Sequence, residues 1–169
     1  ELAASLAAAA AADGELATSS YSRFDSGLFT YRGRFRTSGS NGTDFDAAGA
    51  EISFKLYGPA AKRVVVNITQ PIISGYFAES KFAVVVNGAK LNETWSTLAL
   101  NFSRPMAFEF VCPPGAANVS LFKNTEAVYG ALPTRRKDMR NFLRFHGVAV
   151  HSEEPAKLLK TTRGDDGGR

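Results

Sequence analysis

The sequence predicts an all-β protein, an antiparallel β-sandwich of eight or nine short strands between Leu28 and Val150. Three observations predict it. Apolar and polar residues alternate with period two through the middle of the chain, as half-buried strands require. The alternating runs are separated by turn residues at Gly39 to Gly42, Gly58-Pro59, Asn87-Gly88 and Pro113 to Gly115. The 169 residues are 44% hydrophobic, with 13 Phe and one Trp, enough bulk for a core without staples.

The chain opens with "ELAASLAAAAAADG". Alanine favours helix, but about twelve residues are marginal without a surface to lie on. The same stretch also suits a remnant of a secretory apolar region, although it has neither a basic lead nor an initiator Met. Residues 1–20 are therefore expected to be a separate Ala-rich segment, 21–151 the sandwich, and 152–169 a tail or linker.

Within the sandwich, "AEISFKLYG" sets Ile52, Phe54 and Leu56 against Glu51, Ser53, Lys55 and Tyr57. "RVVVNIT" sets Val64, Val66 and Ile68 against Val65, Asn67 and Thr69. "KFAVVVNGAKLNETW" meets Asn87-Gly88 midway, the pair favoured by the type I′ turn of a two-residue hairpin. In "MAFEFVC", Met106, Phe108, Phe110 and Cys112 share a phase, and the strand stops at Pro113. Val119 and Leu121 oppose Asn118 and Ser120, and "NFLRFHGVAVH" reads as the last strand. Periodicity is lost after His151, and the Arg-Gly-Asp at 163–165 is too short a match to carry meaning.

The net charge of +4 is not concentrated as a nucleic-acid surface requires. The densest basic run, residues 134–146, suits a solvated loop entering a strand. No apolar run reaches the roughly 18–20 residues of a membrane span. The single Cys112 excludes an internal disulfide, and its phase predicts a buried thiol.

Five of the eight Asn stand in Asn-x-Ser/Thr sequons, at Asn41, Asn67, Asn92, Asn101 and Asn118. Roughly one is expected by chance, so the excess points to a glycosylating, secretory route and an extracellular or cell-surface location. Alternation places Asn67 and Asn118 on the wet face of their strands.

Little else carries chemistry. His146 and His151 have no ligand partners at metal spacing. "NGTDFD" offers Asp44 and Asp46 to a calcium ion but has the composition of an ordinary turn. No phosphate loop and no nucleophile elbow occurs, so no cofactor, metal or catalytic residue is assigned. The ligand-binding candidates are Tyr76 (beside Phe77), Trp95 and Tyr129, whose rings suit either a sugar's C–H face or packing at the core rim.

The order of the pieces resembles the N-terminal jelly-roll domain of carbohydrate esterase family two, the acetyl-xylan-esterase-like proteins. The resemblance rests on Gly33-Arg34, on Asn87-Gly88 where the family has Asp-Gly, and on Lys123 with Thr125, Glu126 and Ala127. It covers about residues 28 to 150 and implies that these residues are structural. Thr125 and Glu126 are expected to hydrogen-bond backbone at a strand exit. In that family a following hydrolase domain begins with a Gly-Asp-Ser block; "RGDDGG" has Asp where that Ser is needed, so no catalytic residue transfers.

Three functions follow. The first is a noncatalytic secreted module that recognises polysaccharide or glycoprotein glycans. The second is a structural glycoprotein subunit that binds protein partners in a surface assembly. The third is the accessory domain of an esterase whose catalytic domain lies outside this chain.

Overall fold

Where one face of a strand meets a core and the other meets water, alternation fixes which residues go inside. The computed structural model of the chain describes residues 16–23, 25, 27–37, 42–45, 48–70, 79–97, 106–125 and 143–160. Its strands are β1 (Ala17–Ser22), β2 (Thr30–Arg32), β3 (Phe35–Thr37), β4 (Thr43–Phe45), β5 (Glu51–Gly58), β6 (Lys62–Thr69), β7 (Lys81–Val86), β8 (Ala89–Ser96), β9 (Met106–Cys112), β10 (Gly115–Lys123), β11 (Leu143–Ser152) and β12 (Lys157–Leu159).

They form two antiparallel sheets. One orders β3-β4-β11-β6-β9, with β1 also on β11; the other orders β12-β5-β10-β7-β8, with β2 also on β5. Each sheet is built on one long strand with a divided edge. β6 runs along one side of β11, while β4 and β1 share the other side in succession. β10 runs along one side of β5, while β2 and β12 share the other.

The core lies between the sheets. Ile52, Phe54, Leu56, Val119 and Leu121 from one sheet face Val64, Val66, Ile68, Phe108 and Phe110 from the other, all buried. Rings lock the layers: Phe82 meets Phe108 edge-on at 4.6 Å, and Phe29 meets Phe54 at 5.7 Å and Phe145 at 5.2 Å. Such pairs add about 0.5–1.5 kcal/mol beyond their buried area.

The expected alternation holds in β5, β6, β9 and β10. At the β7–β8 hairpin Asn87 and Gly88 take φ of 50° and 83°, the paired positive values of a type I′ turn. The strand number differs from the expected eight or nine: twelve strands occur among the described residues, because four of them have only three residues, too few for alternation to register. The boundaries shift too. β1 begins at Ala17, inside the segment expected to precede the sandwich, and β12 lies inside the expected tail. Residues 1–15, for which a helix was one expectation, lie outside the described residues.

At one corner the chain crosses between the sheets twice, from β5 to β6 and from β9 to β10. Lys62 is buried there, and its ammonium donates to the carbonyls of Gly58 (3.0 Å) and Gly115 (2.8 Å). Burial lowers its pKa. Gly58 is required nearby, since a Cβ there would approach the Ala156 Cβ to 2.8 Å. Cys112, the register partner of Lys62, is a buried free thiol, as its phase predicts.

This corner generates three predictions. Lys62→Met removes the donor from two carbonyls and should cost about 1–3 kcal/mol in urea denaturation. Burial pushes the Cys112 thiol up to about 12 from the ordinary 9.0, with Lys62 opposing the shift. The unfolded chain therefore releases this proton first as pH rises, so stability should fall from pH 9 towards 12 and less steeply in Cys112→Ala. Iodoacetamide at pH 8.5 should label the native thiol at least about 100-fold more slowly than the urea-unfolded one.

Candidate functional site

A grouping of polar side chains lies where β4 gives way to β1 along β11. A β-bulge marks the place. Between Phe145 and Gly147 the register of β11 against β6 slips, so the inward set changes from Leu143 and Phe145 to Val148 and Val150. Gly147 adopts a φ of +139°, and a Cβ there would lie 2.1 Å from the Tyr21 carbonyl oxygen. Gly42 has a φ of +144°, and its Cβ would lie 2.3 Å from Arg144 Cγ. Only glycine lets the two neighbouring strands close on β11 here.

The outer layer of this notch is an ordered row. Arg144 donates to both carboxylate oxygens of Asp44, Nε to Oδ1 at 2.6 Å and Nη2 to Oδ2 at 3.1 Å. That bidentate geometry is the strong form of the pair. His146 Nε2 and the Thr69 hydroxyl are 2.6 Å apart. Burial lowers the His146 pKa, and Arg144 and Arg23 lower it further against the opposing pull of Asp44. The imidazole is therefore neutral at neutral pH. The inner layer continues through the gap: Arg23 N–H donates to the His146 carbonyl at 3.1 Å, and its guanidinium donates to the Thr43 hydroxyl at 3.0 Å. The Tyr31 hydroxyl is buried close by, and burial raises its pKa against the opposing influence of Thr43 and Arg23.

Guanidinium, carboxylate, imidazole and hydroxyl side by side supply both donors and acceptors, as an uncharged polyol requires. The row does not form a nucleophilic triad. His146 meets a threonine hydroxyl, but the Asp44 carboxylate is held by Arg144 rather than by imidazole Nδ1. Asp44, weighed as a calcium donor, has both oxygens on Arg144; Asp46 lies outside the described residues.

The residues singled out in the sequence fall elsewhere. Trp95 points inward from edge strand β8 and packs on the core, stacked on Phe82 at 5.6 Å with Phe108 and Phe110 within 6.3 Å. Tyr76, Tyr129, Asn41, Asn101 and Glu126 lie outside the described residues. Asn92 and Asn118 are exposed and Asn67 is half-buried. Gly33 has a φ of +102° with Ala50 close behind it, and Arg34 is exposed. Lys123 is buried and donates to the carbonyl and hydroxyl of Thr125. The Thr125 hydroxyl also accepts from Lys81 N–H at 3.2 Å, so this turn ties β10 to β7.

The notch residues are scattered over 23 to 146 in sequence, and only contact in space unites them. One surface residue was within reach of the sequence: Tyr57, on the polar phase of β5, is the one exposed aromatic among the described residues, at 47%.

This is the jelly-roll β-sandwich architecture of carbohydrate-binding modules. No protein-family model and no curated protein matches the chain. Solved structures do match. A family two carbohydrate esterase from Clostridium thermocellum, in complex with cellohexaose, has a TM-score of 0.54 and 23% identity over 80% of this chain and 34% of its own. An acetyl xylan esterase from the rumen bacterium Butyrivibrio proteoclasticus has a TM-score of 0.58 and 12% identity over 88% of this chain and 35% of its own. A family 35 carbohydrate binding module from an environmental isolate has a TM-score of 0.55 and 16% identity over 85% of this chain and 98% of its own. The chain thus spans about a third of the esterases it matches and nearly all of the module. The resemblance in the sequence holds at the level of the fold.

The lowered His146 pKa has a measurable consequence. Below its ordinary value of 6.5 the unfolded chain takes up a proton that the folded chain resists. Thermal stability should fall as pH drops below about 6.5, and His146→Gln should flatten that limb while leaving the curve above pH 7 unchanged.

Proposed function

We propose that the chain is a noncatalytic carbohydrate-recognition module of a secreted glycoprotein, with the notch of Asp44, Thr69, Arg144 and His146 as its binding surface. The match to 98% of a family 35 carbohydrate binding module carries this reading, because the sandwich corresponds to a whole binding domain. The notch supports it with paired donors and acceptors held in place by a bidentate ion pair and a bulge. The outward sequons Asn67, Asn92 and Asn118 support passage through a glycosylating route.

A second reading, accessory domain of a longer esterase, is favoured by the esterase chains of which this chain spans a third. It gains if the reading frame continues into a Gly-Asp-Ser block.

Affinity electrophoresis against soluble xylans, glucans and mannans tests the first reading, with intact and deglycosylated protein because a glycan on Asn67 would stand beside Thr69. Retardation by at least one polysaccharide is expected, weakened roughly 10-fold or more by His146→Ala, equivalent to about 1.4 kcal/mol. Failure of every polysaccharide to retard either form would reject it.

A further inference from the structure

An aromatic side chain exposed on the outer face of a sheet lacks the burial that usually holds it. Tyr57 is such a residue. Its hydroxyl makes no hydrogen bond among the described residues, and its ring stands on the outer face of the β12-β5-β10-β7-β8 sheet. Directly across on β10 is Ala116, whose methyl leaves the ring face open on that side. Among the described residues no strand lies beyond Ala116, since β7 stops at Val86, opposite Val119.

The next outward residue of β10 is Asn118, opposite Lys55 and therefore diagonal to Tyr57. Cross-strand diagonal neighbours lie about 7–8 Å apart, within reach of an aromatic side chain. Asn118 is the Asn of an Asn-Val-Ser sequon and is exposed. Its backbone is pinned: its N–H donates to the Asn87 side chain at 2.8 Å, and its carbonyl accepts from Asn87 N–H at 2.9 Å. Its own side-chain amide makes no hydrogen bond among the described residues. A sugar attached there would start from a fixed point beside an open tyrosine ring.

We propose that Asn118 carries an N-linked glycan whose first N-acetylglucosamine lies with its C–H face on the ring of Tyr57, so that the sheet face includes its own sugar. The contact covers the ring of Tyr57 and orders the glycan along the rows of β5 and β10. A pyranose has an apolar C–H face suited to the negative face of an aromatic ring, and its rim hydroxyls stay in water.

The other described sequons serve as controls. Asn67 is flanked across its sheet by Ala107 and Gly147, and on its own strand by Val65 and Thr69, with no aromatic among them. Asn92 lies on edge strand β8, where the neighbouring outward positions of β7 are Ala83 and Val85. None of these named neighbours carries a phenyl, phenol or indole ring.

The inference rests on the glycosylated part of the proposed function and not on ligand binding at the notch, so polysaccharide assays do not bear on it. The test is secretion of the full chain from a glycosylating eukaryotic host, with site occupancy measured by mass spectrometry. Occupancy at Asn118 is expected, with nuclear Overhauser contacts from the Tyr57 ring to the first sugar and an upfield-shifted N-acetyl methyl. Trimming to that single sugar should leave the melting temperature unchanged. Asn118→Gln should lower it by roughly 2–4 °C. In a Tyr57→Ser background the same change should have no effect, and in an Asn67→Gln background the drop should persist.

Two results would overturn the proposal: an unoccupied Asn118, or an occupied Asn118 whose sugar shows no ring contact and whose removal has the same effect with and without Tyr57. Occupancy at Asn67 or Asn92 with Asn118 empty would overturn it while leaving the secreted-glycoprotein reading intact. Should Tyr57→Ser fail to fold, the ring-to-sugar contacts in the unmutated protein decide the matter alone.

Discussion

The sandwich depends on a single cation at one corner. β5 and β6 belong to different sheets, as do β9 and β10, so the chain turns from one layer to the other twice within a few residues of Lys62. Its ammonium, bonded to carbonyls in both turns, fixes their relation and therefore the offset between the layers. Facing apolar surfaces attract without direction and would accept many offsets. The directional contacts of a buried charge restrict them. Burying that charge costs free energy, and two carbonyl acceptors offset the cost.

At the notch, irregularity replaces regular pairing. A uniform β11 would keep one phase from Leu143 to Ser152 and carry one strand along its free edge. The bulge reverses the phase midway, and two short strands divide the edge. The change of partner turns Arg144 and His146 towards Asp44 and Thr69 and opens the gap through which Arg23 reaches Thr43. A polar row on an otherwise ordinary sheet is thus a product of two glycines.

Much of this architecture could be read from the chain, because β5, β6, β9 and β10 each have seven or more residues with one buried face. Asn87-Gly88 was equally plain, since few dipeptides accept two positive φ angles. Three kinds of feature were hidden. Strands of three residues, such as β2 and β12, have no period to detect. Lys62 reads as a polar residue at a strand start, and nothing local indicates that two glycine carbonyls await it. Gly147 within "FHGVAV" looks like a pause in a strand rather than a reversal of its phase. The candidate site was illegible for a related reason: its seven members come from five separate stretches. Trp95 shows the converse, because an isolated aromatic beside a sequon suggests a surface, yet the pairing of β8 with β7 turns it onto Phe82.

The divided edge of β11 also sets an order in time. Among the described strands β1 pairs with β11 alone, and Thr18 bonds to His151, 133 residues later in the chain. A growing polypeptide emerges from its N-terminus, so β1 must remain unpaired until nearly all of the sandwich has been made. The strand that completes β11 is therefore synthesised before the other described strands and is among the last of them to dock. Closure over so long a loop makes folding slow compared with a hairpin-by-hairpin assembly. Until β11 arrives, Ala17 to Ser22 is an open strand without its partner, in need of a chain that stays soluble while it waits. The mostly serine, threonine and alanine composition of that strand, "ATSSYS", suits the delay, because it offers little apolar surface to a wrong partner.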